Sequence, residues 1–202
     1  MTASLAPPIL GTERLILRPL RDDDADPMTV LADDFDVARM TTSIPHPYSR
    51  DMAVGFIGRM KAADPAREVV LAIDHPRHGF IGALGFHPTP GPCPELGYWI
   101  GKPFWGQGYT TEAVTAALGW AGERWNRRVL ASGHFSDNPA SGQVLVKADF
   151  LYTGVVEHRY CLARDEVTAT RMMIWLGSSA LQTPRNACRL TNPGGLGPIT
   201  SV

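Results

Sequence analysis

The chain has little cysteine: only Cys93, Cys161 and Cys188 in 202 residues. Three widely separated thiols give neither a zinc spacing nor a disulfide framework, so a reducing cytoplasm is the expected compartment. An excess of charge of one sign is also missing. Nineteen Lys and Arg against 20 Asp and Glu leave a net charge of −1. Without a basic stripe, binding driven by phosphate neutralisation of a nucleic acid is not expected. No segment approaches the roughly 20 apolar residues of a membrane span. The opening Met1-Thr2-Ala3-Ser4-Leu5-Ala6-Pro7-Pro8 has no basic stretch leading into an apolar core, so neither a signal peptide nor a membrane partner is expected. His75 and His78 stand close together in a Pro-Gly turn with no third ligand nearby, and no metal is expected.

What the chain does have is 44% hydrophobic residues, punctuated by 20 Gly and 17 Pro. That content suits one domain with a substantial core, expected over residues 12–176, after a short tail at 1–11. Asp22-Asp23-Asp24 offers N-caps for a first helix. Ser49 can cap a second, running to about Ala63, in which Met52, Phe56 and Met60 recur every four residues as a buried face would. Strands are expected at Arg14 to Leu20, Glu68 to Asp74, Phe80 to Phe86, Glu95 to Ile100, Val129 to Phe135, Leu151 to Ala163 and Val167 to Leu176. Further helices are expected over about Thr110 to Trp125 and from Asn138, where an Asn N-cap precedes Pro139 at N1. Gly177 onward loses periodicity, and residues 177–202 read as a loose Gly/Pro-containing tail. Strands outnumber helices, and hairpin-like pairs bracket one β-loop-α unit. The expected class is α/β (α+β), with a mixed sheet and helices on both faces.

That β-loop-α unit carries the strongest signal. Leu96-Gly97-Tyr98-Trp99-Ile100 leads into Trp105-Gly106-Gln107-Gly108-Tyr109-Thr110-Thr111-Glu112-Ala113 and then a helical pattern. The first turn of a helix presents free N–H groups and the positive end of its dipole. Gly106 and Gly108 have no Cβ atoms to keep a phosphate away from the backbone. The loop has neither the Lys-Ser/Thr ending of a P-loop nor the full three-glycine dinucleotide fingerprint. A generic nucleotide site is therefore disfavoured.

Three stretches together resemble the GNAT superfamily of acetyl-coenzyme A-dependent N-acetyltransferases, and within it the RimJ/RimL-like group. They are Thr12 to Leu20, Glu95 to Ala113, and Asn138-Pro139-Ala140-Ser141 with Leu145-Val146-Lys147-Ala148-Asp149-Phe150. The resemblance covers about residues 12–175. It implies a GNAT fold with a mostly antiparallel sheet of about seven strands. It also implies acetyl-CoA as cosubstrate and direct transfer of acetyl to a primary amine, at a protein N-terminus or on a small molecule, in a ternary complex. Three places depart from the group. Pro103 occupies a loop position that is often Gln or Arg, where contact through backbone amides makes the change matter little. Ala148-Asp149 stands where Leu-Gly is usual, and Leu145 stands where many members carry a proton-donating tyrosine. The last two departures keep open an alternative, a catalytically weak CoA-binding sensor or interaction module of the same fold.

Acetyl transfer requires an anchored pyrophosphate, an extended pantetheine arm, a deprotonated amine and a stabilised oxyanion. The resemblance assigns the anchor to Trp105, Gly106, Gln107, Gly108, Tyr109 and Thr110, and pairing with the arm to Tyr98, Trp99 and Ile100. Gly97 could ease a bulge that opens the strand edge. At roughly 3.3 Å per residue, Glu95 lies about 20 Å back from the loop. It is the candidate general base, directly or through a water, against the alternatives of orienting the substrate ammonium or being a solvated strand-end carboxylate. Asn138 is a candidate pantetheine ligand as well as a cap. Ser141 is a candidate proton donor, against the simpler reading of a small packing residue. Glu112 is expected to turn away from the phosphates and complement the helix N-terminus. His87, Cys93 and His134 could line the acceptor pocket. The paired final strands could support a homodimer.

Overall fold

A computed structural model describes residues 6–177. The last stretch read as a tail lies almost wholly outside the described residues, as does Cys188. An eight-stranded sheet, one strand more than expected, runs in the order β1-β2-β3-β4-β5-β6-β8-β7. Its strands are β1 (Leu10–Gly11), β2 (Ile16–Pro19), β3 (Val69–His75), β4 (Gly79–His87), β5 (Glu95–Ile100), β6 (Val129–Phe135), β7 (Phe150–Cys161) and β8 (Glu166–Leu176). The extra strand, β1, falls inside the segment read as a leading tail. All neighbours are antiparallel except β5 and β6.

Strand alternation assigns the two faces. On β3, Val69, Leu71 and Ile73 enter one core, while Val70 and Ala72 enter the other. The first core packs against α4 (Tyr109–Glu123) and α5 (Pro139–Lys147); the second packs against α1 (Ala25–Ala32) and α3 (Arg50–Ala62). The register between β3 and β4 slips at Ile73 and Asp74, which pair with Gly82 and Phe80 and leave Ile81 over. The carbonyl of this bulged Ile81 accepts from the Gly101 N–H at 2.9 Å. A short helix, α2 (Phe35–Ala38), has no counterpart in the sequence reading.

Three expectations need correction. Asp24 does not cap α1 with its side chain; it is buried and takes both Arg18 Nη1 and Nη2 at 2.8 Å, while Arg18 Nε reaches Asp74 at 3.0 Å. Burial alone would make these charges costly, and mutual pairing is what permits them. Ser49 does cap α3, accepting from the Met52 N–H. The helix fully buries only Ala53 and Ile57, however; of the Met52, Phe56 and Met60 stripe, Phe56 and Met60 are partly buried against the second core and Met52 is exposed. Four-residue periodicity identified a face that is only partly covered by protein. Finally, β4 and β5 pair without interruption through Gly85 and Gly97, so Gly97 forms no bulge.

Candidate active site

The opening in the sheet lies between β5 and β6. Their only bridge pairs Glu95 with Ala131, supported by Ala131 N–H to Pro94 O and Ser132 Oγ to Leu96 O, both at 2.9 Å. Beyond Leu96 the strands part. An antiparallel neighbour on one side and a departing parallel strand on the other leave the backbone beyond Leu96 with an edge that no strand covers, its far end at Ile100 O taken by Trp105 Nε1. Such an edge accepts an extended amide-bearing chain as a sheet accepts another strand.

Past the end of this edge lies the glycine loop. Gly106 and Gly108 have φ of +74° and +81°, the left-handed region in which a side chain is strained. Gly108 is the N-cap of α4. Glu112 N–H makes the first helical bond, to Gly108 O at 3.1 Å. None of the N–H groups from Gly106 to Thr111 donates to another group among the described residues. They form a concave run of free donors at the positive end of a 15-residue helix. Trp105 Nε1 donates to Ile100 O at 2.8 Å and Gln107 Nε2 to Pro103 O at 3.0 Å, folding the loop back onto β5.

Glu112 turns away from the loop, as expected. Its Oε1 accepts from Thr12 Oγ1 at 2.6 Å and Arg14 N at 2.8 Å, and its Oε2 from Arg14 Nε at 2.7 Å. Burial raises the Glu112 carboxyl, but these hydrogen bonds and the Arg14 charge outweigh it, and the net shift is downward. Arg14 is a loop residue that the sequence reading missed. Its guanidinium lies 4.6 Å from the Tyr109 ring centroid and donates to Gln107 O at 3.0 Å. Ninety-eight residues separate it from Glu112, so no local pattern reveals it.

Alternation along β5 sends its side chains to opposite faces. Glu95, Gly97 and Trp99 face α1 and α3; Leu96, Tyr98 and Ile100 face α4 and α5. Ile100 is buried in the core, and Trp99 packs on Phe80 at 5.8 Å and pairs its main chain with Ala83 of β4. The Tyr98 hydroxyl lies 2.8 Å from Ser141 Oγ and 3.0 Å from Ser141 O on α5. Burial pushes the Tyr98 phenol well up, against the Ser141 hydrogen bond that draws it down. At rest it therefore holds its proton at any working pH. The Asn138 side chain accepts from Ser141 N at 3.1 Å, capping α5 and leaving its amide nitrogen free. Leu145 is fully buried in the core.

Glu95 is held by Arg159 of β7. Nη1 donates to Oε1, and Nη2 donates to Oε2 at 3.0 Å. Each carboxylate oxygen keeps a second lone pair. The Arg159 guanidinium is pushed up by this hydrogen bonding, with burial opposing. Glu95, Tyr98, Trp99, Ser141 and Arg159 all line one cavity of about 1160 Å³. It begins on the α3 face and reaches through the β5–β6 opening, joining groups that the sheet otherwise separates. His87 and His134 line it too. His87 Nδ1 lies 2.7 Å from Glu68 Oε1, and His134 Nε2 3.0 Å from the Tyr152 hydroxyl. Cys93 is not among its walls. Among the described residues no group of three or more His, Cys, Asp or Glu could hold a metal. No helix there is long and apolar enough to cross a membrane.

The profile of the acetyltransferase (GNAT) domain matches residues 14–151. The chain belongs to the GNAT acetyltransferase family. A curated relative, the uncharacterized N-acetyltransferase YoaA of Bacillus subtilis, is 28% identical over 153 residues, covering 74% of this chain and 86% of its own. Among solved structures, RimL, a ribosomal L7/L12 alpha-N-protein acetyltransferase in complex with coenzyme A, superposes with a TM-score of 0.74. It is 16% identical, over 84% of this chain and 98% of its own. Mycobacterium smegmatis RimJ in complex with CoA-disulfide gives 0.74 at 19% identity, covering 88% and 90%. At these identities the superpositions establish the shared GNAT fold.

Proposed function

We propose that the protein binds acetyl-CoA and transfers the acetyl group directly to a primary amine. The single observation that carries this reading is the continuity of the loop donors, the open β5 edge and the cavity holding Glu95 and Ser141. The pyrophosphate sits on the N–H groups of Gly106 to Thr110, with Trp105, Gln107 and Tyr109 shaping the loop. The pantetheine arm extends along Tyr98 to Ile100 with Asn138 beside it, which carries the thioester into the opening. RimL and RimJ, whose solved complexes contain CoA forms, support this choice of cosubstrate.

The amine enters from the α3 face. Its proton passes to a free lone pair of Glu95, directly or through a water, and Arg159 fixes the carboxylate's direction. The amine nitrogen attacks the carbonyl carbon, and main-chain N–H groups of β5 take the oxyanion. As the C–S bond breaks, Ser141 Oγ–H protonates the sulfur from the opposite face. Tyr98 passes its own proton to the serine oxygen, and water admitted as the products leave returns a proton to the phenolate while Glu95 gives its proton up to solvent. This hydroxyl pair takes the role that Leu145 leaves empty, which favours an enzyme over a CoA sensor. The cytoplasm remains the expected compartment, supported by the sparse cysteine. A homodimer through the final strands is a subsidiary proposal, supported by Val155 and Val156, apolar yet exposed on edge strand β7.

Calorimetric titration with acetyl-CoA, followed by thiol release on adding amines, tests the reading. Saturable binding with amine-dependent thiol release is expected. Absence of binding at millimolar ligand would overturn it.

A further inference from the structure

We propose that the acceptor is a monoamine carrying one bulky apolar substituent, with no second cationic group. This rests on the acetyl-transfer reading above and specifies its acceptor. Four of the chain's seven methionines line the cavity: Met28, Met40, Met52 and Met60. Tyr48, Phe56 and Trp99 stand with them. On the α3 stripe, Phe56 and Met60 are partly buried against the second core yet also line the cavity, and Met52 beside them remains 45% exposed. Apolar side chains left toward a concave space of this size mark a ligand surface rather than a stability element. Thioethers are flexible and polarisable, so they mould to an apolar body instead of selecting one shape.

The charge pattern excludes the other large class of amines. The cavity's ionisable walls comprise three carboxylates (Asp51, Glu68, Glu95), two guanidiniums (Arg59, Arg159) and two histidines (His87, His134). Two of the carboxylates are already engaged, Glu95 by Arg159 and Glu68 by His87. A polyamine or aminoglycoside needs several unengaged carboxylates to replace the water around its extra ammonium groups. Asp51 alone answers that need, and Arg59 on the same helix opposes it. A single ammonium at Glu95, with its apolar body against the α3 stripe, brings no second cationic charge that needs a carboxylate.

The test uses the full chain saturated with CoA. 2-Phenylethylamine, ethylamine and spermidine are titrated calorimetrically and then assayed for thiol release with acetyl-CoA. Phenylethylamine should bind at least tenfold more tightly than either of the others, because one buried methylene alone is worth roughly 10–200-fold in discrimination. Phe56→Ser and Met60→Ser, checked for native circular dichroism, should each weaken phenylethylamine by about tenfold and narrow its lead over ethylamine. Spermidine matching or exceeding phenylethylamine would overturn the proposal, as would an unchanged lead in both variants. If CoA itself does not bind, the acetyl-transfer reading fails. The same three amines titrated into the free chain then still decide what the cavity takes.

Discussion

The Tyr98 hydroxyl hydrogen-bonds Ser141 at both Oγ and O, and burial raises its phenol, so it rests protonated. Replacing Ser141 by Ala removes the proposed proton donor to the sulfur. Replacing Tyr98 by Phe removes only the group behind it. Positioned proton donors typically contribute 10²–10⁴-fold. Ser141→Ala should therefore lower kcat by on the order of 10²-fold and Tyr98→Phe by about tenfold, with KM for acetyl-CoA little changed in both. Steady-state kinetics with amine saturating checks the order. Ser141 could be singled out from sequence as a small residue near a resemblance motif. Its partner's hydroxyl could not, because Tyr98 lies 43 positions away and only the fold sends it toward α5. Arg159 was illegible for the same reason, since 64 residues separate it from Glu95.

At the level of elements, the start of α4 joins binding to stability. Glu112 ties this helix to Thr12 and Arg14. Its folded pKa is depressed from the ordinary value near 4.5, so the folded state holds fewer protons than the unfolded one. The stabilisation is complete above about pH 4.5 and disappears as pH falls through the lower folded value. Glu112→Gln should cost on the order of 1 kcal/mol at pH 7, and the deficit should shrink as the pH drops below 4. Urea midpoints for the two proteins at pH 7 and pH 3.5 provide the check. Elements with strong periodicity were readable in advance. β5 and β6 match their expected spans residue for residue, and α5 begins at Pro139 after its Asn138 cap. The four-residue α2 is too short for any periodicity to show. The α3 stripe shows the converse limit: a helical repeat identifies an apolar face without saying whether protein or ligand covers it. Where Asp149 replaces a glycine usual in the group, the turn survives with φ at +64°, a conformation that Asp tolerates better than most residues.

On the scale of the whole molecule, the sheet joins two cores and opens between them. The buried Arg18, held by Asp24 and Asp74, ties β2 to the start of α1 and to β3. Arg18→Ala would strand a buried carboxylate, at a cost of roughly 3–5 kcal/mol, and the urea midpoint should fall accordingly with its slope unchanged. Helices on both faces were foreseeable from the pattern of elements, and an open β5 edge was expected from a bulge at Gly97, but the actual cause of the opening was not legible. The opening depends on β5 and β6 being parallel and parting after one bridge, a fact of long-range register. That opening brings Glu95 from one face and Ser141 from the other into one cavity. The most direct test pairs acetyl-CoA titration with amine-dependent thiol release, for the native chain and for Glu95→Gln. Matching acetyl-CoA affinities, within about twofold, with turnover reduced on the order of 10²-fold or more, are predicted. Undiminished turnover in Glu95→Gln would contradict the placement of the base across the opening.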